Sequence, residues 1–166
     1  MDELNKKSRV VLDVLGPTVE FLVLPSEDDA RYCVLKGTIP PGVSVPLHSH
    51  PDDESFLLAS GRVHALQERK DGFEWTNMNM GDFRHVSQGV RHAWKNQSNE
   101  PAIAIIVTTA RLGRFFQEIG RPVVAGTNPE PPSLVDVQRF AKVAACYNHW
   151  LASPEENAAV GIKLFQ

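Results

Sequence analysis

The sequence has little cysteine, no excess of basic residues and no long apolar segment. Its two cysteines, Cys33 and Cys146, stand far apart without a Cys-x-x-Cys pair, which argues against a disulfide framework or a zinc knuckle. The formal net charge is −3, and no lysine and arginine cluster marks a surface for nucleic acid or an anionic membrane. No run approaches the roughly 18 apolar residues of a spanning helix. We expect a cytoplasmic protein whose partners include no nucleic acid and no membrane.

Short segments of β character follow one another over the first two thirds of the chain. Turn formers such as Pro40-Pro41-Gly42 and Asp71-Gly72 separate these segments. Many short strands at this spacing predict a sandwich or a barrel. The predicted strands are Val19–Leu24, Tyr32–Ile39, Ser55–Ala59, Arg62–Glu68, Phe73–Met80 and Ala102–Thr109.

The pattern changes from strands to helices after Ala110. Leu112, Phe115, Phe116 and Ile119 recur at helical intervals, which predicts an amphipathic helix over Arg111–Ile119. This helix either packs on the barrel or closes one of its ends, or it presents Phe115 and Phe116 as a lid over a ligand cavity. The sequence leaves both interpretations open.

Two further helices are expected in the last third of the chain. Ser133, with Asp136 three residues later, is a capping pattern that opens a helix running to about Trp150. The apolar stripe predicted for this helix is Leu134, Val137, Ala141, Ala144 and Tyr147. Ser153-Pro154 begins a last short helix that Gly161 ends. We predict one domain, with a β-barrel over residues 1–110 and a helical extension over 111–166.

Three histidines and one glutamate form the constellation that carries chemistry. His48 and His50 are two residues apart, so in a strand their rings point to the same side. The turn after His50 lets Glu54 begin the next strand beside the two rings, and His92 supplies a third imidazole. Such a set suits Fe, Mn, Ni, Co, Cu or Zn, and an octahedral ion with four protein ligands keeps two positions open. One divalent transition metal is therefore the expected cofactor.

The two segments that contain these residues resemble the paired motifs of the cupin superfamily. They read Gly42-x5-His48-x-His50-x3-Glu54-x6-Gly61 and Gly81-x5-Ser87-x-Gly89-x2-His92-x3-Asn96. The chain departs from the family pattern at Ser87, where proline is usual. The resemblance implies that His48, His50, Glu54 and His92 are the metal ligands.

The same resemblance implies the fold and the assembly. The fold is an all-β double-stranded β-helix, the jelly-roll cupin barrel, with a short α-helical C-terminal extension. The chain is also similar to small bacterial single-barrel cupins described as quercetin-dioxygenase-like. A homodimer is the expected assembly.

Strand alternation predicts what surrounds the ion. Phe56 and Leu58 fall on the side of Glu54, and Trp94 falls on the side of His92. These side chains either line an apolar substrate pocket or fill a small barrel. The candidate pocket residues are Phe56, Leu58, Phe83, Trp94, Phe115 and Phe116.

Other polar residues near the motifs have two readings each. Phe83 and His85 share a face that points inward if the charged Arg84 points to solvent, and His85 is then either an acid or base or a structural histidine. Asp52 and Asp53 either orient the ligand imidazoles or form a solvated turn. His64 and His149 lie outside the motifs and are interpreted as surface or packing residues.

The expected function is a metal-dependent oxidoreductase, dioxygenase-like, acting on a small organic substrate. Glu54 and His85 are its catalytic candidates. Two alternatives stay open, because the family resemblance permits them: a non-catalytic binding or sensor protein for a small-molecule ligand, and a metal-dependent isomerase or cyclase.

Overall fold

The computed structural model of the protein describes residues 10–25, 31–124 and 129–164. Within these ranges the chain forms twelve strands and three helices. In chain order they are β1 Val11–Asp13, β2 Thr18–Val23, β3 Tyr32–Ile39, β4 Ser44–Ser49, β5 Glu54–Ser60, β6 Arg62–Arg69, β7 Gly72–Asn79, β8 Phe83–Val86, β9 His92–Lys95, β10 Ala102–Thr109, α1 Ala110–Ile119, β11 Arg121–Pro122, α2 Leu134–Cys146, β12 Trp150–Leu151 and α3 Pro154–Ala159.

The strands form two antiparallel sheets. One has the order β11-β1-β2-β3-β10-β5-β8 and the other the order β12-β4-β9-β6-β7. Each of the predicted strands is present within one residue at either end. At the turn between β5 and β6, Gly61 has a φ of +76°, and a Cβ there would lie 2.5 Å from the backbone oxygen of Pro101. The predicted all-β double-stranded β-helix with short C-terminal helices is confirmed.

Large apolar side chains fill the space between the two sheets. Phe56 and Leu58 of β5 meet Met78 of β7 and Trp94 of β9 there, and the rings of Phe56 and Trp94 lie 4.5 Å apart. Each is less than a tenth exposed, and burying one such side chain contributes about 1.5–3 kcal/mol. The barrel is therefore filled along much of its length.

The second helix differs from its prediction in length and in orientation. It ends at Cys146 because Asn148 takes a left-handed conformation, with φ 58°, and Trp150 and Leu151 then continue as a strand. Leu134 and Val137 are exposed, whereas Phe140, Val143, Ala144 and Tyr147 pack against α1. The predicted stripe and this one have the same helical spacing, and contact with α1 selects the second.

The C-terminal part of the chain packs on the sheet that contains β4. Trp150 pairs with Ser49, and Leu151 pairs with His48. Below them, the side chain of Asn157 accepts a hydrogen bond of 2.8 Å from the backbone N–H of Leu47. No helix in the described ranges is both long and apolar enough to cross a membrane.

Candidate metal centre

Three imidazole rings converge on the inner face of the second sheet. His48 and His92 are directly opposite in the pairing of β4 with β9, and their ring centroids lie 4.2 Å apart. His50 follows β4 immediately, with its centroid 5.1 Å from that of His92. One donor nitrogen from each ring lies within 4.8 Å of the others. The strand pairing therefore gathers nitrogens from two strands at one point.

Glu54 adds a carboxylate to the three rings. Its Oε2 lies 3.1 Å from Nε2 of His50 and 3.5 Å from Nε2 of His92. The turn before it is fixed by its neighbours, because Thr108 donates a hydrogen bond of 2.7 Å to the carbonyl oxygen of Asp53. All four residues that the sequence motifs nominate are thus brought together.

Backbone carbonyls set the tautomers of two of the rings. Nδ1 of His48 lies 2.7 Å from the carbonyl oxygen of Pro46, and Nδ1 of His92 lies 2.9 Å from that of Val90. A carbonyl oxygen only accepts, so Nδ1 is the protonated nitrogen in each ring. This leaves the Nε2 lone pair of both rings available to a cation.

The pKa shifts of Glu54 and His48 favour a bound cation. Burial alone raises the pKa of Glu54, but the nearby imidazole rings of His50 and His92 outweigh burial and hold that pKa far below its usual range. Burial and the charges of His92 and His50 lower the pKa of His48. For His50, burial lowers the pKa, but the Glu54 carboxylate outweighs burial and the net shift is upward. An ionised carboxylate and a neutral imidazole are the forms that ligate metals.

One atom of the centre tests whether a metal fits. Nε2 of His92 is buried and has no hydrogen-bond partner among the described residues. Buried polar atoms nearly always have a partner, so the lone pair of this nitrogen is suited to bind a cation. Three imidazole nitrogens and one carboxylate form a donor set suited to Fe, Mn, Ni, Co, Cu or Zn. The residues therefore fit a divalent transition metal.

Asp52 links the turn after His50 to the C-terminal extension. It is buried, and its carboxylate accepts hydrogen bonds from Thr109 at 2.5 Å and from Arg111 at 2.6 Å. Arg111 also donates to the carbonyl oxygen of Tyr147. A solvated turn is therefore wrong for Asp52, because an arginine of α1 holds it inside.

His149 lies closer to the centre than the sequence indicated. Its ring centroid is 5.2 Å from that of His50 and 4.2 Å from that of Phe115. Burial and the charge of His50 lower its pKa to about 4. No spacing rule pointed to it, because the turn after α2 and the pairing of β12 with β4 bring it there.

Two predicted pocket residues face away from the barrel interior. Phe83 is 65% exposed, and His85 is also exposed, with Nδ1 3.0 Å from Oγ of Ser55. The prediction that they share an inward face is wrong. The pairing of β5 with β8 sets Phe56 opposite Arg84, so Arg84 is on the inner face and its neighbours are outside.

The interior next to the centre contains two polar residues that the sequence did not nominate. Gln67 of β6 pairs with His92 of β9. Nη1 of Arg84 donates a hydrogen bond of 3.0 Å to Oε1 of Gln67, and Nη2 donates to Thr76. A period of two along β6 could have indicated Gln67, since Val63 and Ala65 precede it at that interval.

The remaining pocket candidates are packing residues in this structure. Phe56, Leu58 and Trp94 belong to the hydrophobic core. Phe115 is 3% exposed and packs with α2. Phe116 contacts both the core of the barrel and the apolar group between α1 and α2. This placement favours the packing interpretation of α1 over the lid.

A shallow surface pocket lies beside the centre. It measures about 250 Å³ and is lined by Ser49, His50, Pro51, Gln88, Gly89 and Asn148. A second pocket of about 260 Å³ involves residues of β6 and β7, among them His64 and Asn77. Neither is lined by the apolar residues that were predicted to surround the ion.

Comparison with known proteins identifies the fold. Residues 35–108 match the family model described as Cupin domain. No curated protein matches the sequence. An oxalate decarboxylase variant from Bacillus subtilis is 15% identical, with a TM-score of 0.53, and the match covers 61% of this chain and 27% of that one.

Two further solved structures are similar. The formate complex of oxalate decarboxylase from Lactobacillus farciminis is 16% identical, with a TM-score of 0.52, over 61% of this chain and 30% of that one. A sugar phosphate isomerase of the cupin superfamily from Silicibacter pomeroyi is 19% identical, with a TM-score of 0.47, over 57% of this chain and 59% of that one. The chain thus corresponds to less than a third of the length of the decarboxylases. Residues 35–108 are thus similar to a cupin domain, and the decarboxylase structures have the same fold.

Proposed function

We propose that this protein is a metal-dependent oxidoreductase, of dioxygenase type, that acts on a small organic substrate. The observation that carries the proposal is the convergence of His48, His50, His92 and Glu54, with Nε2 of His92 buried and lacking a hydrogen-bond partner within the described residues. Four donors held by three strands and a turn form a site for a divalent ion.

The residues of the candidate metal centre have distinct roles in this proposal. His48 and His92 would hold the ion through Nε2, since their Nδ1 atoms are bonded to backbone carbonyls. Glu54 supplies the negative charge, and Asp52 anchors the turn that carries His50. The bound ion would supply Lewis acidity and, if it is iron, redox chemistry with dioxygen.

Metal content is the first measurement. The protein is purified without a nickel column and its metals are measured by mass spectrometry, next to His92→Ala and to His64→Ala as a control outside the centre. We expect near one transition-metal ion per wild-type and H64A chain and almost none in H92A. Equal contents in all three proteins would contradict the proposal.

Reaction class is the second measurement. Fe(II)- and Mn(II)-loaded protein is incubated with panels of phenols, diketones and carboxylic acids under an oxygen electrode, with products followed by mass spectrometry. Oxygen uptake that is abolished by H92A supports an oxidoreductase. Conversion of a compound without oxygen uptake would contradict the oxidoreductase and support an isomerase or cyclase. Tight binding with quantitative recovery of the unchanged compound would support a sensor instead.

A further inference from the structure

A guanidinium lies inside the barrel beside the candidate metal centre. Gln67 is opposite His92 in the pairing of β6 with β9, so the two inward side chains are direct neighbours. Oε1 of Gln67 accepts a hydrogen bond of 3.0 Å from Nη1 of Arg84. One side chain therefore separates the Arg84 head group from a metal-ligand histidine.

The pairing of β5 with β8 in the seven-stranded sheet also places Arg84 beside the centre. Glu54 pairs with Val86 in the ladder of β5 with β8, and Phe56 pairs with Arg84. Glu54 and Phe56 both face inward, so Arg84 begins two residues further along the face that carries the Glu54 carboxylate. Its side chain spans from this sheet to Gln67 and Thr76 of the other one. Two independent strand registers thus place its charge next to the centre.

Arg84 has no ion pair within the described residues, unlike two other partly buried arginines of the chain. Arg111 contacts the carboxylate of Asp52 at 2.6 Å, and Arg121 contacts the carboxylates of Asp13 and Asp136. The hydrogen bonds of Arg84 go instead to a neutral amide and a hydroxyl.

The charge of Arg84 is only partly compensated. Its Nε is buried without a hydrogen-bond partner in the described ranges. Burial and the charge of Arg69 lower its pKa, and Glu74 and Asp82 act on it only at a distance. A half-buried guanidinium ordinarily pairs with a carboxylate, because a desolvated charge is costly when it is unpaired. An anionic group that reaches this point would remove that cost.

We propose that Arg84, oriented by Gln67, binds the carboxylate of a small anionic substrate beside the metal centre. This inference rests on the proposed function and narrows its substrate to organic carboxylates. The planar fork of a guanidinium matches the two oxygens of a carboxylate, and Nε–H with one Nη–H offers that pair of donors. Gln67 holds the fork from its far side. Arg84 is therefore a specificity-determining residue, and a neutral analogue of the substrate binds more weakly.

Binding of matched acids and amides tests the proposal. Zn(II)-loaded, ¹⁵N-labelled protein is titrated with acetate and malonate, and with acetamide and malonamide as uncharged isosteres, at constant ionic strength. The Nε–H signal of Arg84 is followed by NMR. We expect this signal to shift with the acids and not with the amides. In Arg84→Gln, acid affinity falls by about tenfold or more, the loss typical of a charge-assisted hydrogen bond.

Controls separate this site from general charge effects. Arg62→Gln removes an exposed arginine of β6, on the sheet opposite Arg84, and leaves acid affinity unchanged. Arg84→Lys keeps the charge without the fork and recovers only part of the affinity. Acid affinity equal in wild type and R84Q overturns the inference, as does an Arg84 signal that responds alike to acids and amides.

The two proposals fail in different ways. Zinc bound by wild type and R84Q, with no preference for acids, overturns the carboxylate subsite and leaves the metal centre in place. If wild type binds no zinc, the proposed function is overturned. The Arg84 signal in a titration of metal-free wild type then shows whether the carboxylate subsite exists. If R84Q does not fold, the response of the wild-type Arg84 signal to acids and amides alone tests the carboxylate subsite.

Discussion

The interior of the barrel has two regions of opposite character. One contains the candidate metal centre, where His50, His92 and Glu54 bring polar atoms together away from water. The other is filled by apolar side chains, with Phe56 and Trp94 in ring contact at 4.5 Å. Both regions use inward positions of the same strands, since Glu54 and Phe56 share β5 and His92 and Trp94 share β9.

The two regions contribute to different properties of the protein, the apolar one to folding stability and the polar one to metal binding in our proposal. Apolar contacts gain free energy without any ligand, because they remove hydrocarbon from water. The polar region gathers lone pairs and a carboxylate whose burial is compensated by hydrogen bonds and, in our proposal, by a cation. We therefore expect changes in the filled region to alter folding, and changes in the polar region to alter metal binding.

The largest expected effect is on folding. Phe56→Ala removes a ring that packs on Trp94, and we expect the free energy of unfolding to fall by about 3–5 kcal/mol. Denaturant unfolding of metal-free protein measures it. Phe83→Ala, on the exposed outer face, is the matched control and should change stability little. Equal losses in the two variants would break the comparison.

The next largest effect is on metal affinity. Glu54→Gln keeps the shape of the side chain but removes the charge, and we expect affinity for Zn(II) to fall by at least about a hundredfold. Competition with a chelating dye measures it, and Glu74→Gln, an exposed glutamate on β7, serves as the control. A drop in metal-free stability as large as that of F56A would show that the polar region also carries the fold.

An intermediate effect is expected where the C-terminal extension meets the polar region. Asn157→Ala leaves the buried N–H of Leu47 without an acceptor, which should cost about 1–3 kcal/mol of unfolding free energy. Zn(II) affinity should fall too, because Leu47 precedes His48. Asn77→Ala, at an exposed position, should change neither quantity. Stability lost without any change in affinity would assign α3 to the fold alone.

The smallest effect is expected at the start of α2. Ser133 and Asp136 form a reciprocal capping box, and Ser133→Ala should cost about 1 kcal/mol of unfolding free energy. Zn(II) affinity should stay the same, because α2 packs mainly on α1. Ser60→Ala, at the exposed end of β5, is the control. A measurable loss of zinc affinity in S133A would link the helical pair to the centre.

The parts of the fold set by local patterns were predictable from the sequence. Turn formers separated the strands, and the two-residue interval from His48 to His50 gave rings that meet. The turn after His50 indicated Glu54 beside these rings, whereas the position of His92 rested on the family resemblance, since no local rule sets the distance between separate strands. The homodimer, the cytoplasmic location and the catalytic roles of Glu54 and His85 stay predictions.

The errors came from short elements and from contacts between distant segments. Strand β8 has four residues, and assigning its charged Arg84 to solvent reversed both of its faces. That assumption failed because Gln67 and Thr76 of the other sheet accept hydrogen bonds from the guanidinium. His149 was missed for a related reason: only the pairing of β12 with β4 brings it near His50.

The pairing of β12 with β4 has a consequence for the order in which the molecule matures. The bond from Leu47 to Asn157 joins residues 110 positions apart, so it closes late in a chain made from its N-terminus. Contacts of such long range also form slowly during refolding. Until they form, β4 with His48 is the exposed edge of its sheet, and the last strand to pair is the one that covers this edge.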